Sequence, residues 1–132
     1  MASASAHAAE AATCATVLVV DDDPGVREVL TDLLREAGHE VVCVEGARAA
    51  LEYLRSHPAP RLILLDLWMP GMSGMEFRAV QVREPAWADI PVIVITAAID
   101  GCRQAERLGA AGVLEKPVHL DDLLGVVAAR VH

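Results

Sequence analysis

Four short aliphatic runs in this chain each end at polar groups able to do chemistry. Val17-Leu18-Val19-Val20 stops at Asp21-Asp22, and Leu62-Ile63-Leu64-Leu65 stops at Asp66. Val92-Ile93-Val94-Ile95 stops at Thr96, and Val113-Leu114 leads through Glu115 to Lys116-Pro117. Lys116 is the only lysine; every other basic residue of the eleven is arginine. Three neighbouring carboxylates repel one another unless protonated or neutralised. A hard divalent cation, Mg2+ above all with Mn2+ as a substitute, resolves that conflict and leaves positions that a phosphate can take. Asp66, between Leu65 and Leu67, carries a charge that is costly there unless paired. A carboxylate so placed can attack a phosphoryl group to give an aspartyl phosphate. Such a transfer depends on positive charge and hydrogen-bond donors held against the transferred oxygens, which the cation, Lys116 and the Thr96 hydroxyl would supply. The plainer readings are a helix cap for the acidic run and a structural ion pair between Asp66 and Lys116. The cap falls to Asp23, the residue before Pro24 at the start of a helical pattern.

These residues act together only if the runs are strands of one sheet. The spacing predicts strands over 16–21, 41–44, 61–66, 91–96 and 112–115, alternating with helices over 24–37, 47–56, about 73–83, about 101–108 and 120–131. In the first helix Val26, Val29, Leu30, Leu33, Leu34 and Ala37 recur at helical spacing, with Gly38 as the stop. Alternating strands and helices of this length mean right-handed βα crossovers and a parallel sheet. In a flavodoxin-like order 2-1-3-4-5, a three-layer α/β sandwich with five helices, the first and third strands are neighbours. The crevice between their ends is then the topological switch point, where such sheets bind ligands. A cis Lys116–Pro117 bond would turn the ammonium into that crevice.

With 132 residues the chain has room for one domain with a full core. A net charge of −8 and scattered arginines argue against nucleic acid as a direct partner. No apolar run reaches the roughly 20 residues that a membrane span needs. Cys14, Cys43 and Cys102 read as buried free thiols of a reducing, cytoplasmic compartment, and the five histidines as surface residues without metal-ligand spacing. Residues 1–14, rich in Ala, Ser and Thr, read as a disordered tail before a domain over 15–132.

Four stretches, VLVVDDDPGVREVL, LILLDLWMPGMSGME, PVIVITA and LGAAGVLEKPV, resemble the receiver domains of two-component response regulators. The likeness runs from residue 16 to 132 in the family's order. It implies that Asp66 is the phosphoacceptor, taking its phosphoryl group from a sensor histidine kinase or phosphotransfer protein. It also implies that Asp21 and Asp22 hold the metal with Asp66, Asp22 the more direct ligand, and that the Trp68 backbone carbonyl contributes. Thr96 and Lys116 would bind the phosphoryl oxygens. Signalling would then proceed by a conformational change at the face formed by helix 4, strand 5 and helix 5, toward a downstream effector protein, an output domain or a second copy of the chain. By this resemblance the chain is not an enzyme beyond its own phosphorylation and autodephosphorylation.

The chain departs from the family's pattern in three places. The family carries Phe or Tyr three residues before the lysine as part of its switch, where this chain has Val113. The interval from Thr96 to Lys116 is short, which predicts a trimmed loop or first turn of helix four. Trp68 stands two residues after the acceptor, where it could shield an acyl phosphate, while the matching place after Thr96 is the small Ala98. Two rivals remain. Haloacid-dehalogenase-like phosphatases need an Asp where Trp68 stands. A pseudo-receiver, a phosphorylation-independent interaction module, is favoured only by Val113.

Overall fold

The computed structural model describes residues 16–97 and 100–130. The tail expected over residues 1–14, Cys14 and Ala98 lie outside them. Five strands, β1 (Thr16–Val20), β2 (Glu40–Val44), β3 (Leu62–Asp66), β4 (Val92–Thr96) and β5 (Gly112–Glu115), alternate with five helices. The helices are α1 (Pro24–Glu36), α2 (Ala47–Ser56), α3 (Gly74–Arg83), α4 (Gly101–Leu108) and α5 (Leu120–Arg130). All pairings are parallel, and the order is β2-β1-β3-β4-β5. This is the flavodoxin-like sheet expected from the sequence.

The continuous Val/Ile/Leu runs are explained by burial on both faces. Val17–Val20 and Leu62–Leu65 are fully buried. Alternate residues feed two cores. Val17, Val19, Leu62, Leu64, Ile93 and Ile95 pack with Leu30 and Leu34 of α1 and Leu123 and Val127 of α5. Leu18, Val20, Ile63, Leu65, Val92 and Val94 pack with Leu51 and Leu54 of α2, Phe77 of α3 and Ala105 of α4. The period-two alternation thus builds three layers from one sheet.

Local signals set the helix ends. The Asp23 carboxylate accepts from the Gly25 and Val26 N–H groups, with Pro24 at the first helical position. Ser73 and Glu76 form a reciprocal capping box at the start of α3. Gly109, with φ +68°, ends α4 in the left-handed conformation.

Two burial expectations are corrected. Cys43 and Cys102 are exposed free thiols. Cys43 lies on edge strand β2, which is covered on the α1 side at Val41 but not two residues further on. Val29 is 56% exposed although it follows the helical apolar spacing, because the buried stripe of α1 centres on Leu30 and Leu34. Of the described histidines, His57 and His119 are exposed and His39 is half-buried. No described helix is long and apolar enough to cross a membrane.

Candidate functional site

The carboxyl ends of β1, β3, β4 and β5 meet at one edge, because the register places Val20 beside Leu65, Asp66 beside Ile95 and Thr96 beside Glu115. Asp21, Asp66 and Thr96 are buried while Asp22 is exposed. One carboxylate oxygen from each of Asp21, Asp22 and Asp66 lies within 4.8 Å of the others. The two strand-end carboxylates therefore form the floor of a small acidic well, and Asp22 forms its open wall.

Asp21 is held from several sides. Its Oδ1 accepts the Asp23 N–H at 2.9 Å. Its carbonyl accepts from Arg27 Nη1 at 2.7 Å, and its own N–H reaches the Val44 carbonyl. Asp21 Oδ2 is buried without a hydrogen-bond partner but lies 3.1 Å from Lys116 Nζ, an electrostatic contact without hydrogen-bond geometry. A buried carboxylate oxygen in that state fits a cation site. With hard oxygen donors from three carboxylates, the cluster could hold a divalent metal.

Asp66 accepts the Trp68 N–H at Oδ1, 3.1 Å, and faces Lys116 Nζ with Oδ2 at 3.5 Å. Its carboxyl is pushed up to about 6, first by burial and next by the Asp21 charge, against the opposing pull of Lys116 and the Trp68 N–H. Burial alone would lower the Lys116 ammonium, but its close contacts with the Asp21 and Asp66 carboxylates hold it above the ordinary lysine value. Lys116 thus stands between the two buried carboxylates. Its peptide bond to Pro117 is cis, and its N–H is tied to the Thr96 carbonyl at 2.9 Å. Trp68 is 53% exposed at the rim.

The geometry brings together Asp21, Asp22, Asp66 and Lys116, and the strand register puts Thr96 on the same edge. Two supporting residues were not singled out from sequence. Arg27 fastens the Asp21 carbonyl, and its only signal was one arginine among ten on a helix face. Gly74 opens α3 so close to the acceptor strand that an added Cβ would overlap the Asp66 carbonyl and lie 2.8 Å from Leu67 Cα. Its signal was a glycine one residue beyond a helix cap, a place where many residues are tolerated.

Residues 17–128 match the family described as response regulator receiver domain. The response regulator FleR of Pseudomonas aeruginosa is 42% identical over 117 residues, 86% of this chain and 24% of FleR. The transcriptional regulatory protein KdpE of Mycobacterium tuberculosis is 33% identical over 117 residues, 87% of this chain and 50% of KdpE. A response regulator receiver protein from Pseudomonas putida superposes with a TM-score of 0.81 at 30% identity, covering 89% of this chain and 98% of that one. The chain belongs to the response regulator receiver domain family. It spans half or less of the length of these two curated relatives.

Proposed function

We propose that the chain is a phosphoryl switch that accepts a phosphoryl group on Asp66 with the help of Mg2+ or Mn2+. The observation that carries this reading is the Lys116 ammonium poised 3.1 Å from Asp21 and 3.5 Å from Asp66, beside a three-carboxylate cluster. Asp21, Asp22, Asp66 and the Trp68 backbone carbonyl would hold the metal. When bound, it offsets the carboxylate repulsion and the charge that develops on the transferred oxygens.

In the transfer an Asp66 oxygen attacks the donor phosphorus, an O–P bond forms, and the bond to the donor's leaving group breaks. With a phosphohistidine donor, from a sensor histidine kinase or phosphotransfer protein, the departing group is the imidazole. Asp66 must be ionised to attack, and Lys116 favours the ionised form. The ammonium and the Thr96 hydroxyl then bind the phosphoryl oxygens. Water returns the carboxylate and inorganic phosphate, so the chain is a self-modifying switch rather than an enzyme with a turned-over substrate. Its output, through α4, β5 and α5, goes to an effector protein, an output domain or a second copy. Both this partner set and a cytoplasmic setting follow what the family implies.

Incubation with a small phosphodonor and Mg2+ tests the reading. One adduct per chain is expected, lost in Asp66→Asn and on chelation. No adduct would point to a phosphorylation-independent interaction module, and sustained turnover of a phosphate ester to a phosphatase.

A further inference from the structure

Helix α4 rests on Thr96 through a residue that has no side chain. A Cβ built on Gly101 would overlap the Thr96 Cγ2 methyl and lie 3.9 Å from Val113 Cγ2. Gly101 and Ala105 are the buried residues of α4, so the methyl contact lies under one of the two points where this helix is fully covered. The far end of α4 is fastened differently. Arg78 of α3 donates from Nε to the Leu108 carbonyl at 2.9 Å and from Nη2 to the Gly109 carbonyl at 3.2 Å. Gln81 accepts from Arg78 Nη1 at 2.8 Å and is itself buried, donating to the Trp87 and Ile90 carbonyls. One end of α4 is thus clamped by hydrogen bonds, and the other touches a methyl group beside the acidic well.

The hydroxyl and methyl of threonine share one Cβ, so turning one to another staggered position carries the other through about 120°. A phosphoryl group on Asp66 adds oxygens beside the strand end where Thr96 stands, and these attract its hydroxyl. If the hydroxyl turns to them, the methyl leaves or changes its seat under Gly101. We propose that Gly101 is the positioning residue for Thr96. Its missing side chain gives the methyl a seat, and through that contact the first turn of α4 senses the Thr96 rotamer directly. Val113 is small enough to leave the contact open, so no large side chain at that position is needed to relay the change. This inference rests on Asp66 being the acceptor.

The test is a double-mutant cycle in the full chain, read by the rate of Asp66 phosphorylation from a small phosphodonor with Mg2+. Gly101→Ala is expected to lower the rate at least about tenfold in the Thr96 background, since its Cβ competes with the methyl. In the Thr96→Ser background, where that methyl is gone, the same substitution is expected to change the rate by less than about threefold. Equal costs in both backgrounds would overturn the proposal, because the effect would then not run through the methyl. Gly101→Ala that folds only with Thr96→Ser supports it. Should Gly101→Ala fold in neither background, wild-type NMR decides. On titration with beryllofluoride and Mg2+, the Thr96 methyl and the Cys102–Ala105 amides are expected to shift together, and a methyl that shifts while those amides stay still overturns the proposal. Wild-type protein that takes no phosphate on Asp66 would overturn the receiver mechanism itself and this relay with it. Uptake with equal mutant costs removes only the relay.

Discussion

The two halves of the site edge are built by different means. At β1 and β3, Asp21 and Asp66 are fixed by Asp23, Arg27, Trp68 and Lys116, and Gly74 admits the α3 backbone against the acceptor strand. Where β4, α4 and β5 meet, Gly101 lies against the Thr96 methyl with Val113 close by. Hydrogen bonds and ion pairs in a buried setting tolerate little displacement, because each lost partner leaves a polar group desolvated. Contacts of a few methyl groups cost far less to rearrange. Polar contacts thus hold the first half, and in the second the Thr96–Gly101 methyl contact is the one that costs least to rearrange.

The largest expected effect tests whether the rigid half holds the acceptor. Asp66→Asn should abolish phosphoryl uptake from a small donor, measured by intact mass. A second adduct site would break the assignment.

Next is the ion pair that ties the halves together. Lys116→Met leaves Asp21 buried without its countercharge, for which a loss of about 3 kcal/mol is expected in metal-free urea unfolding. The same variant should bind Mg2+ more tightly, because a competing cation is gone. Unchanged stability would show that Asp21 is not under strain.

The pH dependence follows from the same carboxylate. Asp66 rises from its ordinary 3.8 to about 6 on folding, so between these values the native state holds a proton that the unfolded chain has released. Stability of the metal-free protein should therefore fall as pH climbs through this window, by at most about 3 kcal/mol. Asp66→Asn should flatten the slope. Lys116 is shifted in the same direction but acts in another window: its raised value stabilises fully below its unfolded pKa, and that contribution is lost only at alkaline pH. A profile that rises from pH 4 to 6 in wild type and stays unchanged in Asp66→Asn would refute the assignment.

The smallest effect concerns the rim. Trp68 is 53% exposed two residues after the acceptor, and the sequence expectation is that it shields an acyl phosphate from water. Trp68→Asn should speed loss of the phosphoryl label about tenfold, equivalent to about 1.4 kcal/mol. Equal or slower decay would remove the shielding role.

Much of this was legible because strand ends carry a strong pattern. Buried parallel strands require unbroken aliphatic runs, so the polar residue at the end of each run marks the sheet edge, and alternating strands and helices require right-handed crossovers into a parallel sheet. Asp21, Asp22, Asp66, Thr96 and Lys116 were therefore placed on one edge from the sequence. The exposures of Cys43 and Val29 were misread, because periodicity tells which side a residue faces and not whether a helix covers that spot. Arg27 and Gly74 were missed because each acts on a backbone atom of another segment, and a backbone carbonyl carries no residue identity.

The sequence by itself determined the alternation of strands and helices, the polar ends of the strands and the resemblance to receiver domains, since these depend on residue types at short intervals. Only the tertiary structure decided that Lys116 stands between Asp21 and Asp66, that Arg27 locks the first loop, and that α4 meets Thr96 through Gly101. Those facts depend on distances between segments far apart in the chain, which are set by how the packed layers come together.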